Sequence, residues 1–292
     1  MDLVVRPLAD ADVEAARGVQ TRAFQALDAA LGEPAWQETP EVAERQRGRF
    51  RHFLRHDPDG SWVAEVDGSV AGAALALRRE GLWGLSLLVV DPAQQSRGVG
   101  RALLDASLRY AAGTTADVIL SSRDARAIRR YATAGFDLFP QVGATGPVAG
   151  NRLRRPEVPV RDGDPDDVDF ADAIDRAVRG AGRGPDHEVL AAGGAMFVVD
   201  QGPRRGYAYA RRDGRLVTIA ATDEMAAEAL LWAYLGHEPD HTVRRTVDHL
   251  TGEQQWAVRT VLAAGLRIAP GGPVFWRGRT PPRCYIPDGA YL

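Results

Sequence analysis

A chain of 292 residues is long enough to hold two domains that each bury a core. Its 45% hydrophobic and 26% charged composition is that of an ordinary globular protein, and its net charge of −3 gives no electrostatic reason to expect nucleic acid or an anionic membrane as a partner. No apolar run approaches the roughly 20 residues needed to span a bilayer. The single cysteine, Cys284, and the absence of a signal-like start lead us to expect a cytoplasmic protein.

The first half of the chain predicts an α/β unit. Apolar residues that recur every 3.6 positions predict helices. Short runs that are rich in β-branched residues, or that alternate apolar and polar residues, predict strands between them. The predicted helices are residues 13–31, 40–54, 99–112 and 123–134, and the predicted strands are residues 3–6, 62–66, 70–77, 82–90, 116–120 and 136–142.

The second half repeats this order in a shorter and diverged form. Residues 143–159 are rich in Gly, Pro and Arg, which predicts a connection between domains. Beyond it, Arg161 and Asp167 repeat Arg6 and Asp12 at one constant offset, each pair framing a strand, an acidic turn and the start of a helix. The order of secondary-structure elements supports a repeat better than the matching residues do.

One loop in the first half is suited to binding an anion. An apolar strand ends at Asp91, a loop with two closely spaced glycines follows, and a helix begins without a break. This arrangement presents free main-chain N–H groups to a phosphate, and Gly98 and Gly100 allow close approach because they lack a Cβ.

Two motifs resemble the signatures of the GCN5-related N-acetyltransferase (GNAT) family. The stretch from Gln95 to Gly100, QSRGVG, fits Q/R-x-x-G-x-G/A directly after the predicted fourth strand. The stretch from Ala127 to Phe136 fits A-x-x-x-Y-x-x-x-G-F, with Tyr131 as its tyrosine. The pair of motifs, in this order and at this separation, is far more specific than the glycine loop alone. The resemblance implies two tandem GNAT-like domains with mixed sheets: residues 1–155 would be a catalytic domain binding acetyl-CoA, and residues 156–292 a degenerate domain without catalysis.

The resemblance also implies the binding site. Main-chain groups of the fourth strand would hold the pantetheine arm and polarise the thioester, and the loop would bind the pyrophosphate. Tyr131 would protonate the departing thiolate. Where the family often has Asn near the start of the following helix, this chain has Asp124, which puts a side-chain contact to CoA there in doubt. The cofactor-binding residues implied in this way are Leu88, Val89, Val90, Gln95, Ser96, Arg97, Gly98, Val99, Gly100, Arg101, Asp124 and Ala127.

No general base is evident from the sequence. The fourth strand carries no acid, although many family members use a glutamate there. Glu65 acting through water and the C-terminal carboxylate of Leu292 are two candidates, and a chain of water molecules is a third.

The second copy lacks both signatures. After its predicted strand at residues 216–220, residues 221–225 contain two acids and no glycine, and acids facing a pyrophosphate would repel it. Val261 stands at the position of Tyr131.

We therefore expect an acetyl-CoA-dependent N-acetyltransferase that moves acetyl to a primary amine of a small molecule or peptide by direct attack in a ternary complex. The acceptor is expected to enter from residues 24–53, with Trp36 as a contact. Two alternatives stay open: a catalytically silent acyl-CoA sensor or scaffold, and an enzyme similar to mycothiol synthase. A homodimer is compatible with each.

No metal site is expected. Residues 237–241 formally fit H-E-x-x-H, but that motif needs a continuous helix, whereas Gly236 ends the preceding helix and Pro239 lies inside the motif.

Overall fold

The computed structural model describes residues 2–34, 37–237 and 243–292. Trp36 and residues 238–241, which concern the predicted acceptor contact and the H-E-x-x-H match, lie outside these ranges.

The first repeat of the chain contains seven strands and four helices among its described residues. They are β1 Leu3–Pro7, α1 Val13–Leu31, α2 Pro40–His56, β2 Ser61–Val66, β3 Ser69–Arg79, β4 Leu82–Val90, α3 Val99–Arg109, β5 Ala116–Leu120, α4 Ala125–Thr133, β6 Asp137–Phe139 and β7 Gln141–Pro147.

The second repeat has the same order of strands and helices, followed by one extra short strand. Its elements are β8 Arg161–Asp162, α5 Val168–Arg179, α6 Asp186–Ala192, β9 Gly194–Gln201, β10 Arg204–Arg211, β11 Leu216–Ala221, α7 Glu224–Gly236, β12 Arg244–Thr251, α8 Gln255–Ala263, β13 Arg267–Pro270, β14 Val274–Arg277 and β15 Tyr285–Ile286. The predicted mixed α/β architecture with two copies of one element order is confirmed.

Packing divides the chain into two compact units, Met1–Ile119 with Leu292, and Leu120–Tyr291. In the first unit, β1, β2, β3 and β4 form an antiparallel sheet in that order, and β5 runs parallel to β4. Helices α1, α2 and α3 pack on this sheet, and all three contact β3. The alanines of β3 allow this close packing, and Ala74 and Ala71 are buried beside Leu103 of α3.

A buried ion pair ties α2 to the sheet of the first unit. Asp57, directly after α2, is fully buried and accepts hydrogen bonds from both terminal nitrogens of Arg79, at 2.8 and 2.9 Å. Its carboxylate also accepts the Arg78 main-chain N–H at 2.9 Å and the Tyr110 hydroxyl at 3.2 Å. The carboxylate is therefore satisfied within the core, as a buried charge requires.

The second unit contains strands from both repeats. Strands β8, β9, β10, β11 and β15 form an antiparallel sheet, and the largely apolar helix α7 is buried against β9, β10 and β11. Strand β7 of the first repeat lies between β12 and β13 of the second, with Ala144 opposite both Val247 and Ile268. Strand β6 of the first repeat pairs with β14 of the second.

Two expectations about this part of the chain were wrong. The single strand predicted over residues 136–142 is two strands, β6 and β7, separated by Pro140, whose missing N–H interrupts a ladder. The connection predicted over residues 143–159 is strand as far as Pro147, because β7 finds partners on both edges. The compact units thus divide after Ile119, since β6 and β7 pair with strands of the second repeat. The assignment of catalysis to residues 1–155 and of a silent role to residues 156–292 stays a prediction.

None of the helices in the described residues combines the length and the apolar character that crossing a membrane requires.

Candidate active site

The segment between β4 and α3 is an open cradle of main-chain N–H groups. Ser96, at a φ of 63°, and Gly98, at a φ of 91°, have left-handed backbone, and Gly98 immediately precedes α3. Within the described ranges, no protein atom accepts a hydrogen bond from the main-chain N–H groups of residues 96–100. These donors lie at the positive end of the α3 dipole, so the segment can bind a phosphate group.

Local contacts fix this loop to the end of β4. Asp91 accepts the N–H of Ala93 at 3.0 Å and forms an ion pair with Arg22 of α1 at 2.7 Å. The Gln95 side-chain amide donates to the Val90 carbonyl at 3.2 Å. The glutamine of the motif therefore holds the loop against the strand, which gives it a structural role in shaping the cradle.

Two arginines add positive charge beside the cradle. Arg97 donates to the side-chain oxygen of Gln94 at 2.8 Å, a neutral partner. Arg101 contacts Asp105 at 3.7 Å, and the two side chains are 83% and 60% exposed. An ion pair this exposed is weak, so Arg101 can exchange it for a phosphate at little cost.

Strand β4 separates from β5 halfway along its length. The parallel pairing runs from Leu82 opposite Ala116 to Leu85 opposite Ile119 and then ends. Residues 86–90 therefore continue with β3 on one edge and without β5 on the other. The predicted pantetheine-binding residues Leu88, Val89 and Val90 all lie in this half of β4. Polar main-chain groups on an unpaired strand edge can bond to an extended ligand.

Ser86 lies where β4 leaves β5, and the sequence analysis missed it. The β3–β4 pairing passes from Ala76 opposite Leu85 to Leu75 opposite Leu87, so Ser86 is the extra residue of a β-bulge. Arg49 of α2 donates to the Ser86 hydroxyl from Nε at 2.9 Å and from Nη2 at 2.6 Å, and also contacts the Ser86 carbonyl. A lone serine in an otherwise apolar nine-residue strand was the available signal.

Two glutamines on the helices beside this strand have no hydrogen-bond partner for their side-chain oxygen. Gln20 of α1 is 4% exposed and Gln46 of α2 is 7% exposed, and in the described part of the chain neither Oε1 accepts a hydrogen bond. Leaving such a group unsatisfied costs about 1–3 kcal/mol. Gln46 lies one helical turn from Arg49, on the same side of α2.

Tyr131 lies on α4, in the second compact unit. Its residue is 5% exposed, and its ring makes an edge contact with Phe275 at 5.6 Å between centroids. Burial raises the pKa of Tyr131 above its usual value, so the hydroxyl keeps its proton. No described residue forms a hydrogen bond with that hydroxyl. Tyr131 is thus a protonated group with its hydrogen-bonding capacity unused.

Asp124 caps the helix that carries Tyr131. Its carboxylate accepts the Arg126 main-chain N–H at 2.8 Å and pairs with the Arg126 guanidinium at 2.8 Å. Partial burial opposes ionisation of Asp124, but these hydrogen bonds and the Arg126 charge together hold its pKa below its usual value. Ala127 follows in the first turn of the same helix. The carboxylate is engaged in capping, which is a sufficient structural reason for its presence.

The two candidate bases have structural contacts of their own. Glu65 pairs with Arg6 at 2.5 Å, and Arg6 also holds Asp12. Leu292 is 1% exposed, and its side chain occupies the space beside Gly84 where a Cβ would otherwise stand. Neither contact assigns a proton-transfer role, and both candidates stay predictions.

In the second repeat, the corresponding loop before α7 carries two acidic residues that are engaged in local contacts. Asp223 caps α7 by accepting the Ala226 N–H at 2.8 Å, and Glu224 pairs with Arg283. Val261, at the position of Tyr131, is fully buried. Main-chain N–H groups that have no described partner at the start of α3 thus have a counterpart at the start of α7 that already donates to Asp223.

Comparison with known proteins shows which proteins the chain resembles. Residues 23–136 match the model of the acetyltransferase (GNAT) family. The structure is also similar over its whole length to solved structures. A proposed acetyltransferase from Pyrococcus horikoshii superposes with a TM-score of 0.72 at 15% identity, covering 99% of this chain and 95% of the other. A GCN5-related N-acetyltransferase from Kribbella flavida has a TM-score of 0.60 at 16% identity, covering 94% and 71%.

Curated relatives match only locally. The mycothiol acetyltransferase of Clavibacter michiganensis is 53% identical over 57 residues, which is 19% of this chain and 18% of that protein. The chain therefore matches less than a fifth of that relative's length, and the likeness does not extend to the whole protein.

Proposed function

We propose that the protein is an acetyl-CoA-dependent N-acetyltransferase acting on a primary amine by direct transfer in a ternary complex. The observation that carries this proposal is the row of main-chain N–H groups over residues 96–100 that donate to no described protein atom, in the loop after a strand whose pairing with β5 has ended. The match of residues 23–136 to the acetyltransferase (GNAT) family supports acetyl-CoA as the molecule that such a site holds.

The proposed reaction needs few protein groups. The neutral amine attacks the thioester carbonyl carbon, and the carbonyl oxygen becomes an oxyanion. The C–S bond then breaks, the thiolate takes up a proton and the nitrogen gives one up, leaving an acetamide and free CoA. Main-chain N–H groups at Leu88 to Val90 would stabilise the oxyanion, and Tyr131 would supply the proton to sulfur.

The proposal assigns the remaining residues to cofactor binding. The cradle of residues 95–100 would hold the pyrophosphate, with Arg97 and Arg101 contributing charge. Asp124 and Ala127 would lie near CoA through main-chain atoms, because the Asp124 carboxylate is engaged by Arg126. The second repeat would bind no acetyl-CoA, since Asp223 and Glu224 stand at its loop.

Calorimetry with acetyl-CoA and a thiol-release assay across a panel of amines test these statements together. We expect one acetyl-CoA bound per chain and amine-dependent release of CoA. Binding without turnover on any amine would favour a sensor or scaffold, and two acetyl-CoA molecules per chain would contradict the silent role of the second repeat.

A second candidate is an enzyme similar to mycothiol acetyltransferase, favoured by the local 53% identity to the Clavibacter michiganensis protein. Its discriminating substrate is mycothiol without its acetyl group, which belongs in the same amine panel. If that amine gives the highest kcat/KM of the panel, the second candidate replaces the general one.

A further inference from the structure

We propose that residues 283–286 are a resident peptide ligand of the second repeat, held in the opening where β11 and β12 separate. The matching opening of the first repeat lies between β4 and β5, where the proposed function puts the pantetheine arm of acetyl-CoA. The inference goes beyond that function, because it assigns the groove of the second repeat to an extended peptide. All residues that form this groove lie in the second compact unit.

Strand β15 lies at the point where β11 and β12 diverge. The two longer strands are joined by one parallel bridge, between Arg215 and Thr246, just before β11 begins. Beyond that bridge β11 has β10 on one edge and β15 on the other, and β15 also contacts β12. The C-terminal segment therefore fills the opening between the two strands.

The pairing of β15 falls on the end of β11 that corresponds to the open end of β4. Ile219 lies opposite Ile286, and the next residue, Ala220, lies opposite Tyr285. Counted back from the last residue of each strand, these two positions of β11 correspond to residues 88–89 of β4. The strand edge that has lost β5 in the first repeat thus carries a peptide in the second.

Side chains of the segment lie on alternate sides of the strand, as in peptides that bind by strand addition. Ile286 and Cys284 pack against the hydrophobic core around α7. Tyr285, between them, is 2% exposed and contacts the buried Arg183. In this mode of binding the main-chain hydrogen bonds supply affinity, and the pockets for alternate side chains supply specificity.

Arg183 recognises the tyrosine hydroxyl. The guanidinium is fully buried and has Asp175 as its counter-charge at 3.1 Å. Its Nη2 donates to the Tyr285 hydroxyl at 2.6 Å, and its Nη1 donates to the Tyr291 carbonyl at 3.1 Å. Phenylalanine at position 285 would remove an acceptor from a buried charged donor, so the groove selects tyrosine there.

The acidic start of α7 suits a peptide better than a phosphate. Glu224, in the first turn of α7, forms an ion pair with Arg283, which directly precedes the paired segment. The Arg283 side chain is 70% exposed, so this pair contributes to selectivity more than to affinity. The charge of this loop is thus complementary to the segment that occupies the groove.

Hydrogen exchange of the unmodified full chain tests whether the segment behaves as a ligand or as part of the core. A docked segment opens locally, so the slowest amide of residues 284–286 should be protected and yet exchange about tenfold or more faster than the slowest amide of β10. The absence of protection would overturn the inference, and so would protection equal to that of β10.

Two tyrosine variants separate recognition from general packing. Tyr285→Phe should lower the protection of residues 284–286 about tenfold and leave β10 unchanged. Tyr209→Phe is the matched control, because Tyr209 is a buried tyrosine whose hydroxyl lies 3.2 Å from His187 Nδ1. No effect of Tyr285→Phe on the segment, or an equal effect of Tyr209→Phe, would contradict recognition by Arg183.

A peptide added in trans tests the groove directly. In the full chain, Tyr285→Gly combined with Ile286→Gly weakens the resident segment, and the probe is a synthetic peptide of residues 282–291. We expect the peptide to bind this variant about tenfold or more tightly than wild type, whose groove is occupied at a high effective concentration. A peptide with phenylalanine for the tyrosine should bind about tenfold more weakly, and a scrambled peptide should not bind.

No binding of the native peptide at about 1 mM, or equal binding of the scrambled one, would overturn the inference. If the double variant does not fold, the exchange rates of the wild-type chain and of Tyr285→Phe decide. None of these measurements uses acetyl-CoA, so their outcome is independent of the proposed enzymatic activity.

Discussion

Arg161 holds Asp167 through two hydrogen bonds, at 2.7 and 2.5 Å, just before the first helix of the second repeat. Arg6 holds Asp12 in the same way, at 2.7 and 2.8 Å, before the first helix of the first repeat. In each copy the carboxylate also accepts the main-chain N–H three residues earlier, at 3.0 and 2.8 Å. The repeat is therefore a repeat of hydrogen bonding as well as of element order.

Asp167→Asn should make the protein less sensitive to acid. Hydrogen bonds from Arg161 lower the pKa of Asp167, so its ionised form stabilises the fold above the unfolded value of about 3.9 and loses that effect as pH falls through the lowered pKa. We expect the variant to lose about 1–2 kcal/mol of unfolding free energy at pH 7 and less at pH 2.5, where the carboxyl of the unfolded chain is protonated. Urea titrations at both pH values measure this, with Asp12→Asn as the equivalent change in the first repeat. The same loss at both pH values would contradict the linkage.

Gly98→Ala should weaken acetyl-CoA binding. Gly98 has a φ of 91°, and a Cβ there meets no atom within 4 Å, so the cost is backbone strain. The strain is about 1–2 kcal/mol. If the loop relaxes when no ligand is bound, this strain is present only in the complex and raises Kd about fivefold to thirtyfold. Gly113→Ala is the control, because Gly113 lies beyond the other end of α3 with a φ of 82°, and a Cβ there would meet only the flexible end of Arg78 at 3.8 Å. Equal effects of the two changes on Kd would remove the cradle from the binding site.

Tyr131→Phe should lower kcat without weakening the cofactor complex. The hydroxyl makes no hydrogen bond with the described residues, so its removal leaves the fold and CoA binding intact. Loss of a proton donor costs about 10²–10⁴ in rate. Burial raises the pKa of Tyr131, so the wild-type kcat should not fall as pH rises to the usual tyrosine value of about 10.

A control exists in the second repeat. The Tyr234 hydroxyl donates to the Gly214 carbonyl at 2.7 Å, so Tyr234→Phe should lower stability by about 1 kcal/mol and leave kcat unchanged. An unchanged kcat in Tyr131→Phe would end the proposed role of Tyr131.

Asp57→Asn should be strongly destabilising. The carboxylate is fully buried and its partner Arg79 is 8% exposed, so the change leaves a buried guanidinium without its counter-charge. Removing one partner of a buried ion pair lowers the free energy of unfolding by about 3–5 kcal/mol. Arg101→Gln, which removes one partner of an exposed pair, should cost less than about 1 kcal/mol. Similar losses for the two variants in denaturant titrations would show that burial does not set the cost.

Local patterns were sufficient for most of the first repeat. The helix predicted over residues 13–31 has the bounds of α1, because alanine and valine recur at helical spacing and Gly32 adopts the left-handed conformation that ends it. Thr39 caps α2, and Pro40 occupies the first helical position, where the helix predicted over residues 40–54 begins. Signals of this kind lie within a few residues of the boundary that they set.

Pairings between distant residues could not be derived in this way. Arg49 and Ser86 are 37 residues apart, and nothing near either residue indicates the other. The β-bulge at Ser86 depends on the register between β3 and β4, which the apolar pattern of β4 leaves open because every position of that strand is hydrophobic or small. The continuation of β7 to Pro147 was missed because its partners, β12 and β13, follow it by about a hundred residues.

The position of β7 between β12 and β13 limits how the protein can be divided. A fragment ending at residue 155 would carry β7 with both edges bare, and bare strand edges invite association between chains. A fragment beginning at residue 156 would lack the middle strand of its three-stranded sheet. Each half of the chain, divided at residue 155, would therefore lack strand partners that the other half supplies.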